Sequence, residues 1–153
     1  MNPVVHFEMP YDDSERVAKF YKAAFGWKMK KMAEMGDYVL ATTTDTSSDG
    51  MIKTPGHING GFFQKKPDWP AQFPSVVISV ANLKNAMAKI AQSGGQVLGD
   101  PMDIPGVGAY VSITDTEGNR VGVLEPMPME KPAKKAAAKK PAKKAAKKKS
   151  KKA

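Results

Sequence analysis

The chain has 153 residues, 41% hydrophobic and 8% aromatic, which fits one soluble domain able to bury a core. It has no cysteine, excluding a disulfide framework, a thiolate metal site and a cysteine nucleophile, and no apolar run long enough to cross a bilayer. The net charge of +9 divides unevenly: residues 1–130 carry 12 Lys and Arg against all 15 Asp and Glu, a net of −3, whereas residues 131–153 carry 12 Lys and no acid.

The start, MNPVVHFEMPYDDSE, has no basic segment followed by an apolar stretch, so no secretory signal is expected and a cytoplasmic location is the default. The run VVHFEMP reads as a strand. Helix signals follow in DDSERVAKFYKAAFG: Asp12 as the cap, Glu15 three residues on as in a capping box, and Gly26 as the stop. Val17, Phe20, Tyr21 and Ala24 fall on one helical face. Strands are expected in WKMKKMAEM, DYVLATTT and HINGGFFQK. The segment KKPDWPAQFP (65–74) then reads as a linker, with Trp69 packed within it and Trp27 at a turn. Strand SVVISV follows, then helix NLKNAMAKIAQSGG with Leu83, Ala86, Met87 and Ile90 on one face, then strands QVLGDP, AYVSITD and NRVGVLE. The DTEGN stretch, Asp115–Asn119, is a hairpin turn signal. Met29, Met32 and Met35 recur at every third position and are read as packing residues.

An offset of 69 residues overlays the two halves element on element: His6 falls on Ser75, Phe7 on Val76 and Gly26 on Gly95. The organisation that follows is a first βαβββ module at 1–64, the linker at 65–74, a second module at 75–130 and a tail at 131–153. The fold class is α+β, with two βαβββ modules of mixed sheet.

The tail holds only Lys, Ala, Pro and one Ser. Twelve like charges and no core-forming side chain predict disorder in isolation. Its composition resembles the Lys/Ala/Pro tails of linker histones. Lys134, Lys135, Lys139, Lys140, Lys143, Lys144, Lys147, Lys148, Lys149, Lys151 and Lys152 are expected to bind nucleic acid or another polyanion without sequence preference, meeting phosphates as point charges.

The segment HFEMPYDDSERVAKFYKAAFGW, with GHINGGFF and DTEGNRVGVLEP, resembles the vicinal oxygen chelate superfamily, which includes glyoxalase I, bleomycin-resistance proteins and extradiol dioxygenases. The resemblance covers roughly residues 4–126. It implies paired modules whose mixed sheets form a cup around a pocket holding a divalent metal, with His or Gln, Glu, His and Glu ligands from the first and last strand of each module. Here those positions fall on His6, at or next to Gly61, on Ser75 and on Gly122. A catalytic zinc normally takes three protein ligands, so His6 is the only remaining ligand position and no cofactor is expected. The alternative is a relocated divalent site or acid–base pair built on His6 and Glu8, which alternation puts on one strand face. His57 lies four residues from the ligand position, roughly 13 Å at about 3.3 Å per residue, and belongs to the preceding loop.

Counting by twos from those positions, the cup-facing set is His6, Glu8, Asn59, Phe63, Ser75, Val77, Ser79, Arg120 and Leu124. Tyr38 and Tyr110 sit on strands with no anchor to fix their phase. Glu8 and Arg120 are expected to form an inward ion pair. Three functions remain in play. The first is a small-organic-ligand binder with a polyanion-binding tail, dimeric by resemblance. The second is a lyase, isomerase or dioxygenase with a relocated site. The third is a nucleoid-associated architectural protein using its body as a dimerising anchor.

Overall fold

The computed structural model describes residues 1–47 and 51–128. The expected tail and its lysines lie outside them. In chain order come β1 (Val4–Tyr11), α1 (Ser14–Phe25), β2 (Lys28–Met32), β3 (Tyr38–Thr42) and β4 (Asn59–Gln64). Then follow β5 (Ser75–Ser79), α2 (Leu83–Gln92), β6 (Gln96–Ile104), β7 (Gly108–Thr114) and β8 (Arg120–Pro126). All eight strands join one sheet in the order β2-β3-β4-β1-β5-β8-β7-β6. β1 pairs with β4, and β5 with β8, in parallel; every other strand pairing is antiparallel. This is the α+β fold of two βαβββ units, joined where β1 and β5 run antiparallel with Phe7 opposite Val76.

Period-two alternation sorts the side chains. Phe7, Met9 and Tyr11 of β1 join Val39, Ala41 and Phe62 beneath Val17, Ala18 and Tyr21 of α1. The second core gathers Val80, Val111, Ile113 and Val123 beneath Leu83, Ala86, Met87 and Ile90 of α2. Both helices therefore take the same alternate set of strand residues, and the other set, with His6 and Glu8 on β1, is left on the helix-free face.

Three local expectations are corrected. The cap of α1 is Asp13, not Asp12: its Oδ1 accepts from the backbone N–H groups of Glu15 and Arg16, each at 2.9 Å. Glu15 is then one residue too early for a capping box, and Asp12 turns away to an ion pair with Lys65 at 2.9 Å. Phe20 and Ala24 are exposed. Tyr21, stacked on Trp27 at 4.8 Å and tilted against Phe62 at 5.0 Å, sets the buried stripe, and Phe20 lies about 100° round the helix from it. Strand β6 continues beyond QVLGDP to Ile104 through a register shift between Leu98 and Met102, where Gly99 takes φ +78°. The Asp115–Asn119 turn forms as expected, Asp115 Oδ1 accepting from the N–H groups of Glu117 and Asn119.

The two phenylalanines separate packing from composition. Phe62 is 1% exposed and Phe20 is 56% exposed. Phe62→Ala is expected to cost about 3–5 kcal/mol, and Phe20→Ala to stay within about 0.5 kcal/mol, by urea unfolding. Comparable losses at both would mean that α1 docks through the wider stripe.

Candidate functional site

Two residue rows cross the helix-free face. One runs Asn59–His6–Val77–Gly122–Ser112 through β4, β1, β5, β8 and β7; the other runs Leu40–Gly61–Glu8–Ser75 through β3, β4, β1 and β5. Each row contains a glycine, and over each glycine lies a tyrosine. A Cβ at Gly61 would run into the ring and hydroxyl of Tyr38. A Cβ at Gly122 would stand 2.7 Å from the Tyr110 ring and 2.8 Å from its hydroxyl. With no side chain in the way, each ring lies over the backbone and reaches toward β1, the close approach for which a strand glycine is suited.

Both hydroxyls end on β1. Tyr38 Oη is 2.8 Å from His6 Nε2, and the Tyr110 hydroxyl donates to Glu8 Oε2 at 2.9 Å. In a flat sheet β7 and β1 would stand three strand spacings apart, about 14 Å, with side chains projecting in parallel. A direct Tyr110–Glu8 bond therefore requires the sheet to curl, and this face is the inside of the cup.

The electrostatics follow from that enclosure. Burial lowers the His6 imidazole from 6.5 to about 4, so it is neutral at pH 7. Burial pushes the Glu8 carboxyl up, against the opposing pulls of the Tyr110 hydrogen bond and the Arg120 charge. Burial, then the Glu8 charge, raises both phenols, so Tyr38 and Tyr110 remain protonated donors.

The expected Glu8–Arg120 ion pair is not formed. The ion pairs among the described residues are Arg16–Asp13, Lys31–Asp37 and Lys65–Asp12. Two hydroxyls instead lie between the charges. Arg120 Nη2 donates to Ser112 Oγ at 3.0 Å, and Ser112 Oγ is 3.3 Å from Tyr110 Oη. Because the Tyr110 proton goes to Glu8, Ser112 must be the donor to Tyr110, and the chain runs in one sense from cation to carboxylate. The guanidinium also sits 4.7 Å from the Trp69 ring centre and 5.9 Å from that of Phe63.

Other candidates are placed differently. Asn59 shares the His6 row, but its carbonyl accepts from the N–H groups of Thr43 and Thr44, tying down the chain after β3. Ser75 is the register partner of Glu8, and Val77 lies between His6 and Gly122. Ser79 and Leu124 pair with each other further along β5 and β8. His57 lies before β4, exposed, 3.1 Å from Thr44 Oγ1. Sequence reasoning left Tyr38 and Tyr110 unphased and missed Ser112. The signal was a tyrosine on the strand beside each bare ligand-position glycine, repeated in both modules.

The residues at the four ligand positions do not make a divalent-metal set. His6 is the one imidazole, Gly61 and Gly122 offer no side chain, and tyrosine rings fill the directions in which carboxylates would project. Among the described residues no three His, Asp or Glu side chains gather to hold a metal ion, and no helix is long and apolar enough to cross a membrane.

A family model described as bleomycin resistance protein-like N-terminal matches residues 4–44. A glyoxylase-like domain-containing protein of Didymella fabae is 32% identical over 115 residues, covering 73% of this chain and 84% of its own. CFP32 of Mycobacterium bovis, described as a glyoxylase, is 28% identical over 125 residues, covering 80% of this chain; this chain spans 44% of that relative's length. Among solved structures, a Streptomyces coelicolor methylmalonyl-CoA epimerase in complex with 2-nitronate-propionyl-CoA superposes with a TM-score of 0.61 at 17% identity, covering 86% of this chain and 99% of that one. The Mycobacterium tuberculosis methylmalonyl-CoA epimerase gives 0.58 at 12% identity, covering 82% and 88%.

The lowered His6 pKa carries a pH signature. Between about 4 and 6.5 the unfolded chain binds the proton and the folded chain does not, so stability falls as pH drops through that window. From pH 7 to pH 5 this group should cost about 2 kcal/mol. His6→Gln is expected to flatten that part of the urea-midpoint profile. An acid limb unchanged by the substitution would mean that His6 titrates as if solvated.

Proposed function

The chain belongs to the vicinal oxygen chelate superfamily as a glyoxalase-like domain, and from that premise we propose that its cup binds a small organic ligand without a metal, while its lysine-rich tail holds the protein on nucleic acid or a similar polyanion. One observation carries the reading of the cup: tyrosine rings occupy the space over Gly61 and Gly122, where the superfamily's carboxylate ligands would project. What remains inside is a neutral imidazole, two phenol donors and a carboxyl, with Val77 and Phe63 as apolar wall. A few fixed polar groups on an apolar surface orient a small molecule by shape and hydrogen bonding. A homodimer is part of this reading by resemblance to the superfamily, and a monomer by sedimentation at micromolar concentration would refute it.

A second reading, a metal-free isomerase or lyase, is favoured by Glu8. Its carboxyl is raised by burial, and Tyr110 is its hydrogen-bond partner among the described residues. This is how a buried carboxyl is tuned toward general-base work. Turnover of any substrate that depends on Glu8 would decide for it.

Nickel, cobalt, zinc, manganese and ferrous iron, each against chelator, are expected to leave the thermal midpoint unchanged in the wild type and His6→Ala alike. A ligand at 100 times its Kd adds about 2.7 kcal/mol, so a His6-dependent rise with any metal would overturn metal independence. Against a panel of small organic compounds, midpoint rises dependent on His6 and Tyr110 are expected. A flat response across the panel would remove the binding reading.

Deleting residues 131–153 is expected to abolish DNA retardation, which His6→Ala leaves intact. With eight lysines on phosphates, log K should fall with log salt at a slope of about −7. A slope near zero, or retardation by the truncated chain, would remove the tail from the account.

A further inference from the structure

The segment between β4 and β5 does more than connect two halves. Gln72 pins it from within: its Oε1 accepts from the Lys66 N–H at 2.7 Å, and its amide donates to the carbonyls of Lys66 at 2.7 Å and Trp69 at 3.1 Å. So held, Trp69 packs on Phe63 of β4, with ring centres 6.2 Å apart. Two cations address its indole: Lys66 Nζ at 4.5 Å from the ring centre and Arg120 Cζ at 4.7 Å. Each is drawn to the ring, and both being held by one indole keeps two positive charges within about 9 Å of each other, close to the Debye length. Neither has a carboxylate within ion-pair distance among the described residues, since Lys65 takes Asp12 and Tyr110 takes Glu8. Arg120 spends one donor on Ser112 and presents the rest of a five-donor fork.

We infer that Arg120, with Trp69 and Phe63 as its platform and Lys66 on the same indole, is an oxyanion subsite of the cup, so the ligand is a small organic acid or phosphate ester with a flat apolar portion. This rests on the reading of the cup as a small-molecule site and narrows it to a ligand class. A carboxylate or phosphate here would meet a guanidinium held against the Trp69 ring and tethered by the Ser112 bond, whose remaining N–H groups can recognise paired oxygens. It would also relieve the repulsion between Arg120 and Lys66. Glu8, at the far end of the hydroxyl chain, repels an anion, so the charged end stays beside Trp69 and the neutral portion points toward Tyr38 and His6.

The test uses the full-length chain labelled with nitrogen-15 at physiological salt, read at the indole N–H of Trp69, which Trp69→Phe assigns. A site-resolved signal is needed because the tail lysines also attract anions; all variants keep the tail. Phenylacetate and phenyl phosphate are titrated alongside neutral phenylacetamide. A saturable indole shift is expected with at least one anion, with the amide at least tenfold weaker, and preference between the anions tells carboxylate from phosphate. Arg120→Gln should reduce anion affinity at least tenfold, and Lys66→Met, at an exposed position that the fold does not need, by a few fold. Equal binding of the amide, anion affinity unchanged in Arg120→Gln and Lys66→Met, or no saturable shift with either anion would overturn the subsite. In the first of these, amide-induced shifts at His6 and Tyr38 would leave the cup a ligand site while removing its charge selectivity.

Discussion

The Tyr110 hydroxyl reaches Glu8 because nothing projects from Gly122 between β7 and β5, and Tyr38 reaches His6 because nothing projects from Gly61. A side chain at either position would displace a ring, and with it the donor that solvates β1. With Tyr110 displaced from Gly122, Glu8 would be a buried carboxylate without its hydrogen bond, an arrangement that costs several kcal/mol in an enclosed site. Conversely, a tyrosine over each glycine restores to the sheet the packing that a bare backbone lacks, the role aromatic residues play beside strand glycines. Curl of the sheet, hydrogen bonding of the carboxyl and the placing of both tyrosine rings are thus linked through the same two glycines.

The Arg120–Ser112–Tyr110–Glu8 chain replaces the simpler ion pair for a physical reason. Closing an ion pair would draw the guanidinium off Trp69 and Phe63 and bury it beside Glu8, where desolvation of both ions offsets much of their attraction. Two hydroxyls convey part of the interaction by mutual polarisation, while Arg120 keeps its aromatic platform. The raised Glu8 carboxyl is consistent with this: Tyr110 and Arg120 both pull it down, and burial still prevails.

The fold was legible because its signals are local and repeated. Alternation in VVHFEMP separates Phe7 and Met9 from His6 and Glu8, and two amphipathic helices at the same offset reveal the duplication. The shift from Asp12 to Asp13 as the cap lay beyond the sequence because both are good capping residues, and the contact that engages Asp12 instead comes from Lys65, 53 residues away. Phe20 was misplaced because a wide apolar stripe can take in both it and Tyr21, one residue apart, and the stack of Tyr21 on Trp27 decides between them. Within the cup, the tyrosine hydroxyls could not be phased because β3 and β7 carry no ligand position to count from. The Glu8–Arg120 pair followed from matching opposite charges on one face, a rule that takes no account of a serine and a tyrosine lying between.

Duplication gives the sheet a two-fold plan, but the polar groups do not obey it. Under the 69-residue offset His6 corresponds to Ser75 and Glu8 to Val77, so the imidazole and carboxyl belong to the first module alone. Tyr38 and Tyr110 are related by the plan, each standing on the strand two places before the partner of its module's glycine. Their hydroxyls nevertheless end on different groups of the same strand, β1. Leu40 and Ser112 occupy matching places opposite Gly61 and Gly122, and only the serine extends a hydrogen-bond chain outward to Arg120. A symmetric scaffold has in this way acquired a polar axis, from neutral His6 and Tyr38 through the buried carboxyl to the cation beside Trp69. A metal held between equivalent modules would favour neither end. Here the two ends differ in charge, so on the proposed reading of the cup as a ligand site, a ligand charged at one end would be held in one orientation rather than the other.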